Sequence, residues 1–222
     1  GDRAFRGNTS LEEMTISDSV KYIGEETFSY CSSLTNVTLP DSIDAIGDYM
    51  FAYCTSLKNV NIPENVTSIG DGAFQGCTGG LEGFDLSDKV TTIGESAFAD
   101  CGTIGYVTLP ESITSIGTNA FNGSNIGKLF VGWDEPIQVE TKTFSRVDTM
   151  YCPSGSVPNY RYKRGWNVAK WYISTENPVG IEGIEANKEE DDVYYNLEGI
   201  RVENPSEGIY IHNGKKILIR RK

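Results

Sequence analysis

Histidine is nearly missing from this chain: His212 is the one copy in 222 residues. Ser-His-Asp or Cys-His nucleophilic chemistry would hang on that single residue, which lies beside a turn and should be exposed. The convergent Cys/His spacing of a zinc site is missing too, although five cysteines are present. No apolar run reaches the ~20 residues of a membrane-spanning helix. Basic residues are scarce, with 19 Lys and Arg against 31 Asp and Glu and a net charge of −12. Residues 1–147 hold twenty acids and eight bases, so they carry the whole excess. Such a field repels a phosphate backbone, which argues against nucleic acid. No secretion signal opens the chain, but residues 1–5 already sit inside a repeat, so a processed or truncated start is expected.

What is present is a period. Phenylalanines fall at 5, 28, 51, 74, 98, 121 and 144, spaced by 23 residues with one step of 24. Five residues before the last six stand Ile23, Ile46, Ile69, Ile93, Ile116 and Val139, and a Gly follows the first five of these. Downstream of each Phe comes Leu11, Leu34, Leu57, Leu81 or Ile104. Inward pairs then follow: Met14/Ile16, Val37/Leu39, Val60/Ile62, Phe84/Leu86 and Val107/Leu109. Alternation predicts a short strand with one buried face in each unit, closed by a turn at Pro40, Pro63 or Pro110. The Ile-Gly-x-x-Ala-Phe segment predicts a tight turn into a short helical or 3₁₀ stretch. One coil cannot bury both sides of its core, so coils must stack. The residue inserted at Thr78-Gly79-Gly80 should bulge at a loop without breaking that stack.

The consensus Leu-x-x-Val-x-Leu-Pro-x-x-Val-x-x-Ile-Gly-x-x-Ala-Phe-x-x-Cys, best seen from Leu57 to Cys77, resembles the BspA-like leucine-rich repeats of bacterial surface proteins. That resemblance covers residues 1–147. It implies a right-handed leucine-rich-repeat solenoid and, in several members, adhesion to host or bacterial proteins. No ligand residue is carried over with it.

Cys31, Cys54, Cys77 and Cys101 each lie three residues after a repeat Phe, where Asn8, Ser124 and Val147 stand in the outer coils. Equivalent slots point the same way, so an inward ladder of free thiols is expected in a slot that asks only for a small residue. Cys152 stands apart, reactive or inert. Residues 148–173, with Met150-Tyr151-Cys152-Pro153-Ser154-Gly155-Ser156 and then Tyr160, Tyr162, Trp166 and Trp171, resemble the segment that caps such arrays, a strand run followed by a helix bearing Tyr and Trp. A sugar-stacking platform is the other reading of those aromatics. Residues 174–192 read as an acidic linker. Residues 193–222 read as a small antiparallel β module with a hairpin at Asn213-Gly214. That tail resembles the C-terminal sorting-type module of exported Bacteroidetes proteins.

In the inferred strands the outward residues include Asn36, Thr38, Asn59, Asn61, Asp85, Tyr106 and Thr108, the candidate partner-binding set. Solenoids commonly bind through this face. The resulting expectation is a non-catalytic adhesion protein, secreted or on the outer surface of a Gram-negative bacterium. Its partner would be a host extracellular or bacterial surface protein, with no cofactor, metal, nucleic acid or membrane span, and with envelope anchoring possible. A spacer that projects other domains and a carbohydrate-binding module are the alternatives.

Overall fold

A computed structural model of the chain describes residues 1–175, together with the backbone of four short strands at Tyr194–Tyr195, Arg201–Val202, Gly208–His212 and Lys215–Ile219. The rest of the expected linker, the Asn213-Gly214 turn and the side chain of His212 lie outside the described residues.

The repeats form a parallel β-solenoid of about seven coils. In chain order its strands are β1 (Glu13–Thr15), β2 (Asn36–Thr38), β3 (Ala45–Ile46), β4 (Asn59–Val60), β5 (Ser68–Ile69) and β6 (Phe84–Asp85). They continue as β7 (Thr92–Ile93), β8 (Gly102–Leu109), β9 (Ser115–Ile116), β10 (Phe121–Val131) and β11 (Phe144–Pro153). The Leu-x-x-Val-x-Leu segments build one wall and the Ala/Ser/Thr-Ile pairs a second, whose order is β3-β5-β7-β9. Registers repeat the sequence period: Met14 lies opposite Val37 and Val37 opposite Val60, while Ile46, Ile69, Ile93 and Ile116 align across the second wall.

The first wall departs from expectation at the inserted residue. Its ladder divides into β1-β2-β4 and β12-β11-β10-β8-β6, where β12 is Ala169–Thr175. The extra residue changes the strand's entry, and Gly79 lies so close to the Ser56–Leu57 backbone that a Cβ there would sit 2.6 Å from the Ser56 carbonyl carbon. The core does not divide. Phe74 and Phe98 stack at 5.1 Å across this point, as Phe28 and Phe51 do at 5.4 Å and Phe98 and Phe121 at 5.0 Å. Those distances follow the spacing of adjacent strands, so one aromatic column runs the length of the solenoid.

The third wall corrects the sequence reading more sharply. Among the described residues no helical or 3₁₀ stretch follows the repeat glycines; consecutive turns stand there instead. Two residues in each take the left-handed conformation, such as Tyr49 (φ 53°) and Tyr53 (φ 59°), or Ser96 (φ 55°) and Asp100 (φ 56°). This conformation turns alternate N–H groups toward the following coil. Tyr49, Phe51 and Tyr53 donate to the carbonyls of Asp71, Ala73 and Gln75 at 2.6–2.8 Å. A helix would have spent those donors within its own turn, whereas the solenoid uses them to join coils.

The array is sealed by aromatics. A five-residue helix α1 (Val157–Arg161), with a Pro at its start, carries the buried Tyr160. Trp166 lies beyond it and Trp171 sits on β12, so neither tryptophan is on the helix as the resemblance implied. Trp166 is fully buried, tilts onto Phe144 at 5.0 Å and donates through Nε1 to the Ile137 carbonyl at 2.8 Å. Tyr160 donates its hydroxyl to the Trp133 carbonyl at 2.6 Å. These two rings close the Phe column, whereas Tyr162 is exposed and Trp171 half-buried.

Candidate functional site

The outward positions of the first wall form two columns along the axis, because side chains alternate across each strand. In the N-terminal half the first column is polar and tied together. Asn36 Nδ2 donates to Glu13 at 3.0 Å, and Asn59 Nδ2 donates to Asn36 Oδ1 at 3.1 Å and to Glu82 at 3.2 Å. In the second column Thr38 is exposed, and Asn61 uses its amide on the Leu39 backbone, accepting from its N–H at 2.7 Å and donating to its carbonyl at 3.1 Å. The exposed Asp85 accepts from the Tyr106 hydroxyl at 3.0 Å and from the Thr108 hydroxyl at 2.8 Å. Asp85, Tyr106 and Thr108 are therefore brought into one cluster, while Asn36 and Asn59 belong to a separate ladder.

Two of these placements change what the residues can offer. Thr108 is only 7 % exposed, so its hydroxyl serves Asp85 and not a partner. Tyr106 is half-buried because its ring lies over Gly83, where a Cβ would come within 2.3 Å of it. Burial, with the neighbouring Asp85 carboxylate, pushes the Tyr106 phenol above its ordinary value near 10.

Sequence reasoning stopped these columns at Thr108, yet the wall carries them three strands further. The register continues from Tyr106 to Lys128, Thr149 and Trp171, and from Thr108 to Phe130, Tyr151 and Ile173. Phe130 and Tyr151 stack at 4.5 Å, and Lys170 Nζ lies 5.8 Å from the centre of the Trp171 ring. A signal existed: equivalent outward residues recur after 22, 21 and 22 positions, a contraction that drops them out of a strict 23-residue frame.

The thiol ladder is present, and it does more than fill space. Cys31, Cys54, Cys77, Cys101 and Cys152 are free and buried. Cys54 Sγ donates to the Phe28 carbonyl at 3.0 Å, Cys77 to that of Phe51 and Cys101 to that of Phe74, both at 3.1 Å. Ser124 does the same toward Phe98 at 2.7 Å. In the middle coils the slot therefore holds a small donor that reaches back one coil, while Val147 fills the last one by volume alone. We expect Cys77→Ser to hold stability close to the parent, while Cys77→Val loses about 1 kcal/mol relative to it, as measured by urea denaturation.

Among the described residues, no group of His, Cys, Asp or Glu is gathered as a metal donor set. No helix among them is long and apolar enough to cross a membrane.

The chain is similar to several solved structures and matches one family. The chain aligns with a leucine-rich-repeat protein of T. pallidum at 20 % identity and a TM-score of 0.45, covering 72 % of this chain and 67 % of that one. A Bacteroides ovatus leucine-rich-repeat protein matches at 21 % and 0.41, over 79 % of this chain and 66 % of that one. A leucine-rich cell surface protein of Faecalibacterium prausnitzii matches at 19 % and 0.29, over 79 % and 76 %. The chain thus spans about two thirds of the first two. No curated protein matches it. The BspA type leucine rich repeat region matches in six copies over residues 1–127, more than half of the chain. The chain belongs to the BspA-type leucine-rich-repeat family.

Proposed function

We propose that this protein is a non-catalytic binding module of the bacterial cell surface that recognises a protein partner through the outward columns of its first wall. The observation that carries the proposal is the change of character along the first wall, from its β1-β2-β4 sheet to its β12-β11-β10-β8-β6 sheet. The N-terminal half is a self-satisfied polar ladder, whereas Tyr106, Tyr151, Trp171 and Ile173 gather on adjacent strands at the other end beside Asp85 and Lys128. Aromatic side chains rimmed by charge are the usual anchors of a protein interface. The seven residues named from sequence reduce, on this reading, to Asp85 and Tyr106 as contacts, with Asn36, Thr38, Asn59 and Asn61 as a polar flank.

Export is part of the same proposal. Residues 1–147 and 148–173 form the solenoid and its cap, 174–192 a linker, and 193–222 a sorting-type β module that places the protein outside a Gram-negative cell. Antiparallel registers such as Tyr210 opposite Ile217 and Tyr195 opposite Ile211 are in keeping with that module.

The test is an array of extracellular-matrix and bacterial surface proteins. We expect the double variant Asp85→Ala/Tyr106→Ala to bind a recognised protein at least about tenfold more weakly, the effect of removing a hot-spot pair. Unchanged affinity removes this face from consideration, and silence across the array favours a spacer.

A further inference from the structure

The turn wall has its own aromatic surface. Tyr30, Tyr49 and Tyr53 occupy left-handed positions at φ 61°, 53° and 59° and are 39–46 % exposed. Bulky side chains are poorly suited to that conformation, and the fold does not require them there. The equivalent slots of later coils hold Gly72, Gly76 and Gly123, with Ser96, Asp100 and Asn119 in the remainder. Strain kept at an exposed position where glycine or asparagine would serve points to a role outside the fold.

The geometry narrows that role. Tyr30 and Tyr53 stack at 4.9 Å, and a Cβ at Gly76 would meet the Tyr53 ring at 2.6 Å. The rings thus lie flat against their neighbours and present edges and hydroxyls to solvent. Those hydroxyls have no hydrogen-bond partner among the described residues. One position before the slot that holds Tyr49 runs an acidic column of Glu25, Asp48, Asp71 and Glu95, in which Asp48 accepts from the Asp71 N–H at 2.8 Å and Asp71 from the Glu95 N–H at 2.7 Å. Among the described residues, Glu25, Asp48 and Asp71 make no ion pair. At the N-terminal end of the row the chain supplies its own cation: the Arg6 guanidinium lies 5.4 Å from the Tyr30 ring centre, with Nε 3.2 Å from Glu26. The surface thus already accommodates a guanidinium between a tyrosine and a carboxylate.

We propose that the turn wall of the second to fourth coils, built of Tyr30, Tyr49 and Tyr53 beside Glu25, Asp48 and Asp71, docks an arginine-bearing basic protein surface. Tyrosine edges give rigid amphipathic contact and hydroxyl donors, and the acidic column complements the partner's charge. This face is separate from the sheet columns and stands whether or not those bind.

An arginine–glycine octapeptide, titrated into the isotope-labelled full chain, is the probe. We expect amide shifts centred on Tyr30, Tyr49 and Tyr53, weakened by added salt. The triple variant Tyr30→Asn/Tyr49→Asn/Tyr53→Asn should bind at least about tenfold more weakly and melt no lower than the parent, since asparagine tolerates the left-handed region. Glu25→Gln/Asp48→Asn/Asp71→Asn, which keeps the backbone acceptors, should weaken binding as well. Shifts confined to the sheet wall overturn the proposal. So does an asparagine variant that binds the peptide as tightly as the parent but melts lower, which would make the tyrosines structural cladding. A tyrosine-dependent dimer in sedimentation without peptide also overturns it, by assigning the face to a second copy.

Discussion

Replacing Phe98 with alanine is expected to cost about 3–5 kcal/mol, the range for removing a fully buried aromatic side chain. Phe98 sits mid-column with no exposed surface, 5.1 Å from Phe74, 5.0 Å from Phe121 and 5.0 Å from the tilted Phe84 ring. Removing it opens a cavity between coils that the flanking backbone cannot close, because the turns at 96–100 are tied to the next coil by bonds such as Phe98 N–H to the Ala120 carbonyl at 2.7 Å. The contrast is Phe5, which is 39 % exposed and stacks on one ring only, Phe28. Phe5→Ala should cost about 1 kcal/mol, since only part of its area is removed from water. Guanidinium melts of both variants check the pair. Equal losses would mean that the column does not act as a stack.

The second large effect is alkaline unfolding. Burial pushes the thiols of Cys54, Cys101 and Cys152 up from about 9 to about 12, and raises Cys31 and Cys77 as well. A thiol that ionises near 9 when unfolded and far higher when folded binds more protons in the native state throughout that interval. Its contribution to stability is whole below pH 9 and is lost as pH climbs toward about 12. Each such thiol tilts the balance by roughly 1.4 kcal/mol per pH unit inside the window. Three acting together should collapse stability well before pH 12, as read by circular dichroism. The variant Cys54→Ser/Cys101→Ser should flatten this slope, because serine keeps the donor and does not titrate there. An unchanged slope would show that other groups control alkaline unfolding. The same burial predicts no reaction with thiol reagents at pH 8 until the coils open, including at Cys152, which the sequence left undecided between reactive and inert.

The charge asymmetry takes on a more specific meaning in three dimensions. The excess of acids on residues 1–147 argued from sequence only against phosphate-bearing partners. In the fold, part of that excess becomes a column on the turn wall, at the level where the exposed tyrosines stand. Other acids are consumed locally, as Glu26 is by Arg3 and Arg6 and Asp85 by Tyr106 and Thr108.

The sequence alone determined the coil period, the inward residues, the buried thiols and the need for an aromatic seal. Each is a one-body property: an apolar side chain recurring every 23 residues must face a common interior whatever lies beside it. The tertiary structure alone decided the features that depend on pairs of coils. Turn residues became left-handed instead of helical because their N–H groups found acceptors 22 or 23 residues away, a competition invisible within one repeat. Thr108 was lost as a contact because Asp85 captured it from the neighbouring strand, and the outward columns ran on to Trp171 and Ile173 because strand pairing held where the repeat's spelling had lapsed. Function in a solenoid lies at this second level, since a binding face is made of what adjacent coils do to each other's side chains.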